Sequence, residues 1–160
     1  MASETSAPAT TPAGAIIVIQ EIFGVNAGIR AQCDALAGQG FLAAAPDLFW
    51  RIQRNVAISD KSEAEWKQAF GYYQQYNPDE GIKDIEALIK ALRADTRCTG
   101  KVGVMGFCLG GHMAFLAATR TDADACVSYY GGGIDGRMNE AHAIARPLML
   151  HLAMEDEYIN

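Results

Sequence analysis

The chain has 160 residues, of which 50% are hydrophobic and 20% charged, and its formal net charge is −6, as expected for one soluble globular domain. The excess of acid, with 19 Asp and Glu against 13 Lys and Arg, argues against a nucleic-acid partner, because phosphate backbones are bound by clustered cations. No apolar run approaches the roughly 20 residues of a membrane-spanning helix, which argues against a membrane protein.

The amino-terminal segment, residues 1–14, is rich in Ala, Ser, Thr and Pro and is predicted to be a flexible lead-in. It lacks the basic and apolar regions of a secretory signal. The four cysteines are far apart and show no metal-ligand spacing, so we expect free thiols, no bound metal and a reducing, cytoplasmic location.

In residues 15–160, short apolar runs alternate with helical periodicity, which predicts one α/β domain with a mostly parallel sheet between helices. The first run, 15–19, is continuous and rich in β-branched residues, as is typical of a strand buried on both faces. Strands are predicted at 15–19, 41–45, 102–105, 125–130 and 147–152. Predicted helices begin at the N-cap residues Asn26, Ser62 and Asn77, and a fourth covers 109–119.

A nucleophile elbow is predicted between the strand at 102–105 and the helix that follows it. The segment Gly106-Phe107-Cys108-Leu109-Gly110-Gly111 contains the pattern G-x-C-x-G, whose glycines permit close approach of strand and helix. The helix N-terminus would favour the thiolate of Cys108 and supply backbone N–H groups to an oxyanion. The alternative is a buried structural cysteine in a tight turn. A phosphate-binding loop is excluded because His112, not Lys, follows the glycines.

The second candidate is Glu21, which directly follows the apolar first strand. Burial of an unpaired carboxylate is costly, so Glu21 needs a partner or a raised pKa if it is buried. The alternative is that Glu21 lies in solvent at the strand end.

Four segments of the chain together resemble the dienelactone hydrolase family, the carboxymethylenebutenolidases, within the α/β-hydrolase fold. These segments are Gln20-Glu21-Ile22-Phe23-Gly24-Val25-Asn26, Ala45-Pro46-Asp47-Leu48-Phe49, Gly106-Phe107-Cys108-Leu109-Gly110-Gly111 and Tyr129-Tyr130-Gly131. The separation of Glu21 and Cys108 along the chain is also similar to that in the family. The resemblance runs from about residue 15 to the end of the chain.

The resemblance implies a cysteine-dependent hydrolase of a small-molecule ester or lactone, with no metal or organic cofactor. Cys108 would be the nucleophile, and Glu21 would contact the resting thiol and help to release the thiolate. The backbone N–H groups of Ile22 and Leu109 would form the oxyanion hole.

The resemblance also assigns the acid of a catalytic triad. The segment after the last predicted strand contains Glu155, Asp156 and Glu157, and the residues alone do not distinguish among these acids or exclude a solvated loop. Alignment with the family selects Asp156.

The chain departs from the family pattern at both ends. The triad takes its histidine from beyond Asp156, and the sequence stops at Asn160, so we expect the base to be absent and this chain to have little or no turnover. We expect ordinary structural roles for His112, His142 and His151. The domain is therefore predicted to be a partial α/β-hydrolase fold, without the N-terminal hairpin and the C-terminal strand and helix.

A further departure concerns substrate recognition, so the exact substrate is left open. Family members that cleave dienelactones bind the substrate carboxylate with arginines, one of which would fall near Trp66. Here Trp66, Phe70 and Tyr73 lie at helical spacing and are interpreted as a face directed to the core. Arg51 or Arg54 could replace the missing arginine, or both could be surface residues.

Two other functions are compatible with these residues. The chain could be an inactive fragment or pseudo-enzyme that acts as a binding or redox-active thiol protein, and it could associate with a second copy through exposed sheet edges. It could also be a DJ-1/PfpI-like cysteine enzyme. Those enzymes often carry His directly after the nucleophile, where this chain has Leu109.

Overall fold

The computed structural model describes residues 3–6 and 13–156. Six strands form one sheet, flanked by four α-helices and a 3-10 helix. The elements are β1 Ser3–Ser6, β2 Ala13–Ile19, α1 Ala27–Gly38, β3 Leu42–Pro46, α2 Glu63–Gln75, α3 Pro78–Ala94, β4 Cys98–Phe107, α4 Leu109–Arg120, β5 Ala125–Tyr129, the 3-10 helix Asp135–Ala143 and β6 Leu148–His151. The order of strands in the sheet is β1-β3-β2-β4-β5-β6.

The predicted parallel sheet between helices is confirmed. Strands β2 to β6 pair in parallel, and the apolar side chains on the two sheet faces form two separate cores. The larger core packs against α2, α3 and α4, and the smaller packs against α1. Burial on both faces explains why Ile17, Val18 and Ile19 are all 0% exposed.

Local capping fixes where the helices begin, as the sequence predicts. The Asn26 side chain accepts hydrogen bonds from the N–H groups of Gly28 and Ile29. Ser62 caps α2, because its Oγ accepts from the Glu65 N–H, and the Glu65 carboxylate accepts in return from Ser62 Oγ and from the Ser59 N–H. Asn77 caps α3, with Pro78 at its first position.

The amino-terminal prediction is corrected for the residues that the structure describes. Ser3–Ser6 pair antiparallel with β3, and β2 begins at Ala13 rather than at residue 15. Four polar residues form this strand because the free edge of β3 offers backbone hydrogen bonds, which need no apolar pattern. The remainder of the predicted lead-in, residues 1–2 and 7–12, lies outside the described residues.

Asp124, just before β5, accepts hydrogen bonds from a backbone N–H of β4 and from two cationic side chains. Its carboxylate accepts from the Val102 N–H at 3.0 Å, from Lys101 Nζ at 2.9 Å and from Arg93 at 3.1 Å. The hydrogen bond from Val102 is the main cause that lowers the pKa of Asp124, and the two cations lower it further.

Three aromatic rings stack across neighbouring strands at the carboxyl edge of the sheet. Phe107 of β4, Tyr129 of β5 and His151 of β6 are register partners. The ring centroids of Phe107 and Tyr129 are 5.0 Å apart, and those of Tyr129 and His151 are 4.5 Å apart, with interplanar angles of 17° and 7°.

Within the described part of the chain, none of the helices has the length and apolarity to cross a bilayer.

Candidate active site

The strand order places a topological switch point between β2 and β4. The chain leaves β2 toward β3 on one side and returns to β4 on the other. A crevice forms outside the carboxyl ends of parallel strands where the order reverses in this way, and it is the usual ligand site of such sheets. Glu21 follows β2 and Cys108 follows β4, so the topology brings the two predicted residues to this crevice.

The elbow at Cys108 has the backbone strain expected of a nucleophile turn. Cys108 has φ of 53° and ψ of −112°, in a region that non-glycine residues rarely adopt. The flanking glycines are required by contact. A Cβ on Gly106 would lie 2.1 Å from the Gly110 carbonyl oxygen, and one on Gly111 would lie 2.5 Å from the Tyr129 carbonyl oxygen. The sequence interpretation of these glycines is confirmed.

The Cys108 thiol is held largely protonated by its surroundings. Burial is the main cause that raises its pKa, and the negative charges of Glu21 and Asp156 raise it further. A hydrogen bond from the Leu109 N–H acts in the opposite direction. The sequence predicts that the helix N-terminus favours the thiolate of Cys108. The Leu109 N–H acts in that direction, but its effect on the pKa is smaller than that of burial.

Glu21 is half-buried, and its carboxylate is held by a tyrosine. Burial is the main cause that raises the pKa of Glu21, whereas the Tyr130 hydroxyl, which donates to Glu21 Oε1 at 3.3 Å, lowers it. The preceding residue, Gln20, is fully buried and accepts a hydrogen bond from the Leu48 N–H through its side-chain oxygen. The backbone before Glu21 is therefore anchored through Gln20. Since Glu21 is half-buried and hydrogen-bonded, the alternative that its side chain lies in solvent at the strand end is excluded.

A cavity of about 470 Å³ brings together all five residues that the sequence singles out. These residues, all of which line the cavity, are Glu21, Ile22, Cys108, Leu109 and Asp156. Asp156 reaches it from the segment that follows β6, two strands away from the elbow in the sheet. An adjoining cavity of about 680 Å³ shares Glu21 in its wall and extends toward the N-terminus of α1.

The aromatic stripe of α2 differs from its prediction. Trp66, Phe70 and Tyr73 all line the Cys108 cavity, and Phe70 and Tyr73 remain 37% and 47% exposed. Ala69 is the buried residue of this helix instead. Helical spacing identifies side chains on one face but does not distinguish a core from a cavity. The interpretation as a core face is therefore wrong for Phe70 and Tyr73, whereas Trp66 also packs against the larger core.

Tyr130 is a site residue to which sequence reasoning assigns no role. It has a positive φ of 40° and lines both cavities. The available signal is its position directly after β5, at the same sheet edge as Glu21 and Cys108.

The three histidines lie in different surroundings. His112 lines the Cys108 cavity, its Nδ1 is 2.8 Å from the Gly132 carbonyl oxygen, and burial lowers its pKa. A carbonyl accepts only, so Nδ1 carries the proton, and the other ring nitrogen is buried without a hydrogen-bond partner in the described structure. His142 belongs to the 3-10 helix, and His151 lies in β6 as predicted.

Neither arginine considered as a substrate ligand lines the cavity. Arg51 forms a bidentate pair with Asp84, and its guanidinium stacks on the Trp50 ring at 4.4 Å. Arg54 lies 6.0 Å from the same ring. Among the described residues, no group of three His, Cys, Asp or Glu side chains is arranged to hold a metal ion.

A parallel sheet with a glycine-flanked elbow and a cavity at its switch point defines an α/β-hydrolase fold. The dienelactone hydrolase family model matches residues 1–160, and the chain belongs to that family.

Relatives and solved structures agree with this assignment. A provisionally named carboxymethylenebutenolidase of Azospirillum brasilense is 43% identical over 148 residues, which cover 92% of this chain and 64% of that protein. The carboxymethylenebutenolidase of Pseudomonas putida is 36% identical over 152 residues, which cover 95% of this chain and 64% of that protein. A provisionally named dienelactone hydrolase structure from Klebsiella pneumoniae matches with a TM-score of 0.81 at 25% identity, covering 98% and 68% of the two chains. The chain thus spans less than two thirds of the length of both relatives.

Proposed function

We propose that this chain carries the nucleophile of an ester or lactone hydrolase, and that the nucleophile is Cys108. The observation that carries the proposal is the strained left-handed backbone of Cys108 on the elbow, which opens the residue to a cavity shared with Glu21 and Asp156. Carboxymethylenebutenolidase is the name of relatives at 36% identity, which favours a lactone or ester as substrate.

In the acylation step, the thiolate of Cys108 attacks the substrate carbonyl carbon and forms a carbon–sulfur bond. The resulting oxyanion accepts hydrogen bonds from the backbone N–H groups of Leu109 and Ile22, both of which line the cavity. Collapse of this intermediate breaks the carbon–oxygen bond of the ester and leaves a thioester on Cys108. The leaving alkoxide takes up the proton that the Cys108 thiol released.

Glu21 is the acceptor of the thiol proton in this proposal. Burial raises the pKa of Cys108 and that of Glu21 together, so the resting pair holds the proton on sulfur. Tyr130 keeps the accepting carboxylate in place through its hydroxyl. Substrate binding would then favour the thiolate by bringing an electrophile to it.

Hydrolysis of the thioester needs a base that activates water, and we assign Asp156 the role of orienting a histidine for this step. None of the three histidines of this chain is suited to be that base. His112 has its accepting nitrogen buried, and His142 and His151 do not line the cavity. We therefore expect one round of acylation with little turnover.

The test is reaction of the purified chain with 4-nitrophenyl acetate. We expect a stoichiometric burst of 4-nitrophenol and an acetyl mass increment on the Cys108 peptide. Cys108→Ala and Cys108→Ser should abolish both, and Cys98→Ser, at a cysteine outside the cavity, should leave both unchanged. A burst of equal size in Cys108→Ala would refute the proposal.

A redox-sensing thiol is less well supported by the same geometry. Sensor cysteines are accessible and have a lowered pKa, whereas burial raises the pKa of Cys108. Association with a second copy through sheet edges stays a prediction.

A further inference from the structure

The Cys108 cavity offers apolar and aromatic surface to a ligand. Trp66, Phe70 and Tyr73 of α2 line it together, and Ile22 and Leu109 add aliphatic surface near the elbow. Phe23 packs edge-on against Trp66, with ring centroids 4.9 Å apart, so this part of the wall is fixed by its own packing. Such a wall stabilises a hydrocarbon or aromatic group by removing it from water.

Besides the Cys108 thiol and the phenols of Tyr73 and Tyr130, the ionisable side chains that line the same cavity are two carboxylates and one imidazole. Glu21 and Asp156 are the acids. His112 is kept neutral because burial lowers its pKa. Within residues 13–156, no Lys or Arg lines this cavity.

Four cations near the cavity are engaged with acidic side chains. Arg137 and Arg120, whose positive charges reach His112, are both paired with Glu140. Arg51 is paired with Asp84 on the side of α3. Lys61 lines the adjoining cavity, where Asp60 and Glu65 line the same wall and offset its charge. An anion placed at Cys108 would therefore meet two carboxylates in a cavity wall to which the described residues contribute no Lys or Arg, and it would also lose part of its hydration.

We propose that this site selects against negatively charged substrates and takes an uncharged ester or lactone with an apolar or aromatic acyl group. The inference rests on the proposed function of Cys108, and it narrows the substrate class of that site. It differs from recognition of a substrate carboxylate, for which the cavity wall described above has no cationic partner.

Charge selectivity can be measured on Cys108 without catalytic turnover. Three methanethiosulfonate reagents transfer an ethylthio, a 2-aminoethylthio or a 2-sulfonatoethylthio group to the same thiolate and release methanesulfinate. Each rate at the Cys108 peptide is divided by the rate of the same reagent with 2-mercaptoethanol. Because all three reagents consume one thiolate, their ratios at a single pH are independent of the thiolate fraction. The aminoethyl reagent is close in length to the sulfonatoethyl reagent and serves as a control for size.

We expect the normalised rate of the anionic reagent to be about tenfold below that of the ethyl reagent, and that of the cationic reagent to be at least equal to it. A normalised anionic rate that equals or exceeds the neutral rate would overturn the inference. Glu21→Gln removes one carboxylate and should bring the anionic rate closer to the neutral rate.

A matched pair of variants at the cavity rim separates charge from space. Tyr73 is 47% exposed, so substitution there leaves the core intact. Tyr73→Arg should give an anionic rate several-fold above that of Tyr73→Gln, which removes the same ring without adding a charge. An equal increase in both variants would show that steric exclusion, not charge, sets the selectivity, and would refute the inference.

Failure of this inference is distinct from failure of the proposed function. If 4-nitrophenyl acetate acylates Cys108 but the three reagents show no charge selectivity, the substrate class is wrong and the nucleophile stands. If Cys108 is not acylated, the proposed function fails whatever the selectivity.

Discussion

Replacement of Gly110 by Ala tests the contact between the first turn of α4 and the end of β2. The added Cβ would lie 2.4 Å from the Ile19 carbonyl oxygen and 2.7 Å from that of Gln20, whereas ordinary contact begins at 3.4 Å. Helix and strand would have to separate by roughly 1 Å. Overpacking of this kind lowers the free energy of unfolding by about 1–3 kcal/mol. The better helix propensity of Ala offsets less than about 1 kcal/mol of this loss.

Gly71 provides the matched control for this substitution. It lies inside α2, and a Cβ there would meet nothing within 4 Å. Gly71→Ala should therefore stabilise the fold by about 0.5–1 kcal/mol, while Gly110→Ala destabilises it. Urea denaturation of both variants measures the two signs directly.

The Gly110 variant should also lose reactivity at the elbow. Cys108 and Leu109 directly precede Gly110, so a shift of the helix start moves the Leu109 N–H relative to the sulfur. We expect a smaller rate of acylation by 4-nitrophenyl acetate under conditions where the variant is still folded. The reasoning would be refuted if Gly110→Ala were as stable as the parent chain, or if it were stabilised as Gly71→Ala is.

Three further predictions follow from the electrostatics. Glu21→Gln should move the pH profile of Cys108 alkylation by iodoacetamide to lower pH, because a negative neighbour is removed, and should slow acylation by an ester, because the proton acceptor is lost; an unmoved profile contradicts this coupling. Asp124→Asn should lower the free energy of unfolding at pH 7 by about 1–2 kcal/mol, since a carboxylate with a lowered pKa stabilises the fold above its unfolded pKa. That difference should shrink as the pH falls below about 4, and a constant difference contradicts the argument. Cys126, whose pKa burial raises to about 12, should resist iodoacetamide at pH 8 in the folded chain, whereas the half-exposed Cys98 should react; equal labelling of both contradicts the burial.

The elements with strong local signals could be predicted from the sequence. Helix α3 follows from its Asn77 cap and apolar stripe, because both signals act within a few residues. The elbow could be predicted because its glycines are required where consecutive elements pack closely, so that the pattern G-x-C-x-G is itself the signal. Strand β4 is longer than its prediction because Cys98–Lys101 extend it with polar residues and a glycine that the apolar pattern does not mark.

Contacts between distant segments could not be predicted in this way. The hydrogen bond between Tyr130 and Glu21 joins residues 109 positions apart. The pairing of β1 with β3 depends on a free sheet edge and not on side-chain pattern. The opening of the Trp66 stripe to a cavity depends on how far α2 stands from the sheet, which periodicity does not encode.

The stack of Phe107, Tyr129 and His151 makes the assembly of the last strands visible by spectroscopy. The outer two rings lie over opposite faces of the central one, so its ring current shifts their proton resonances upfield. Detachment of β6 would return the imidazole signal of His151 to its free position and leave that of Phe107 shifted. An NMR spectrum can therefore follow the docking of a single strand at this edge without any introduced label.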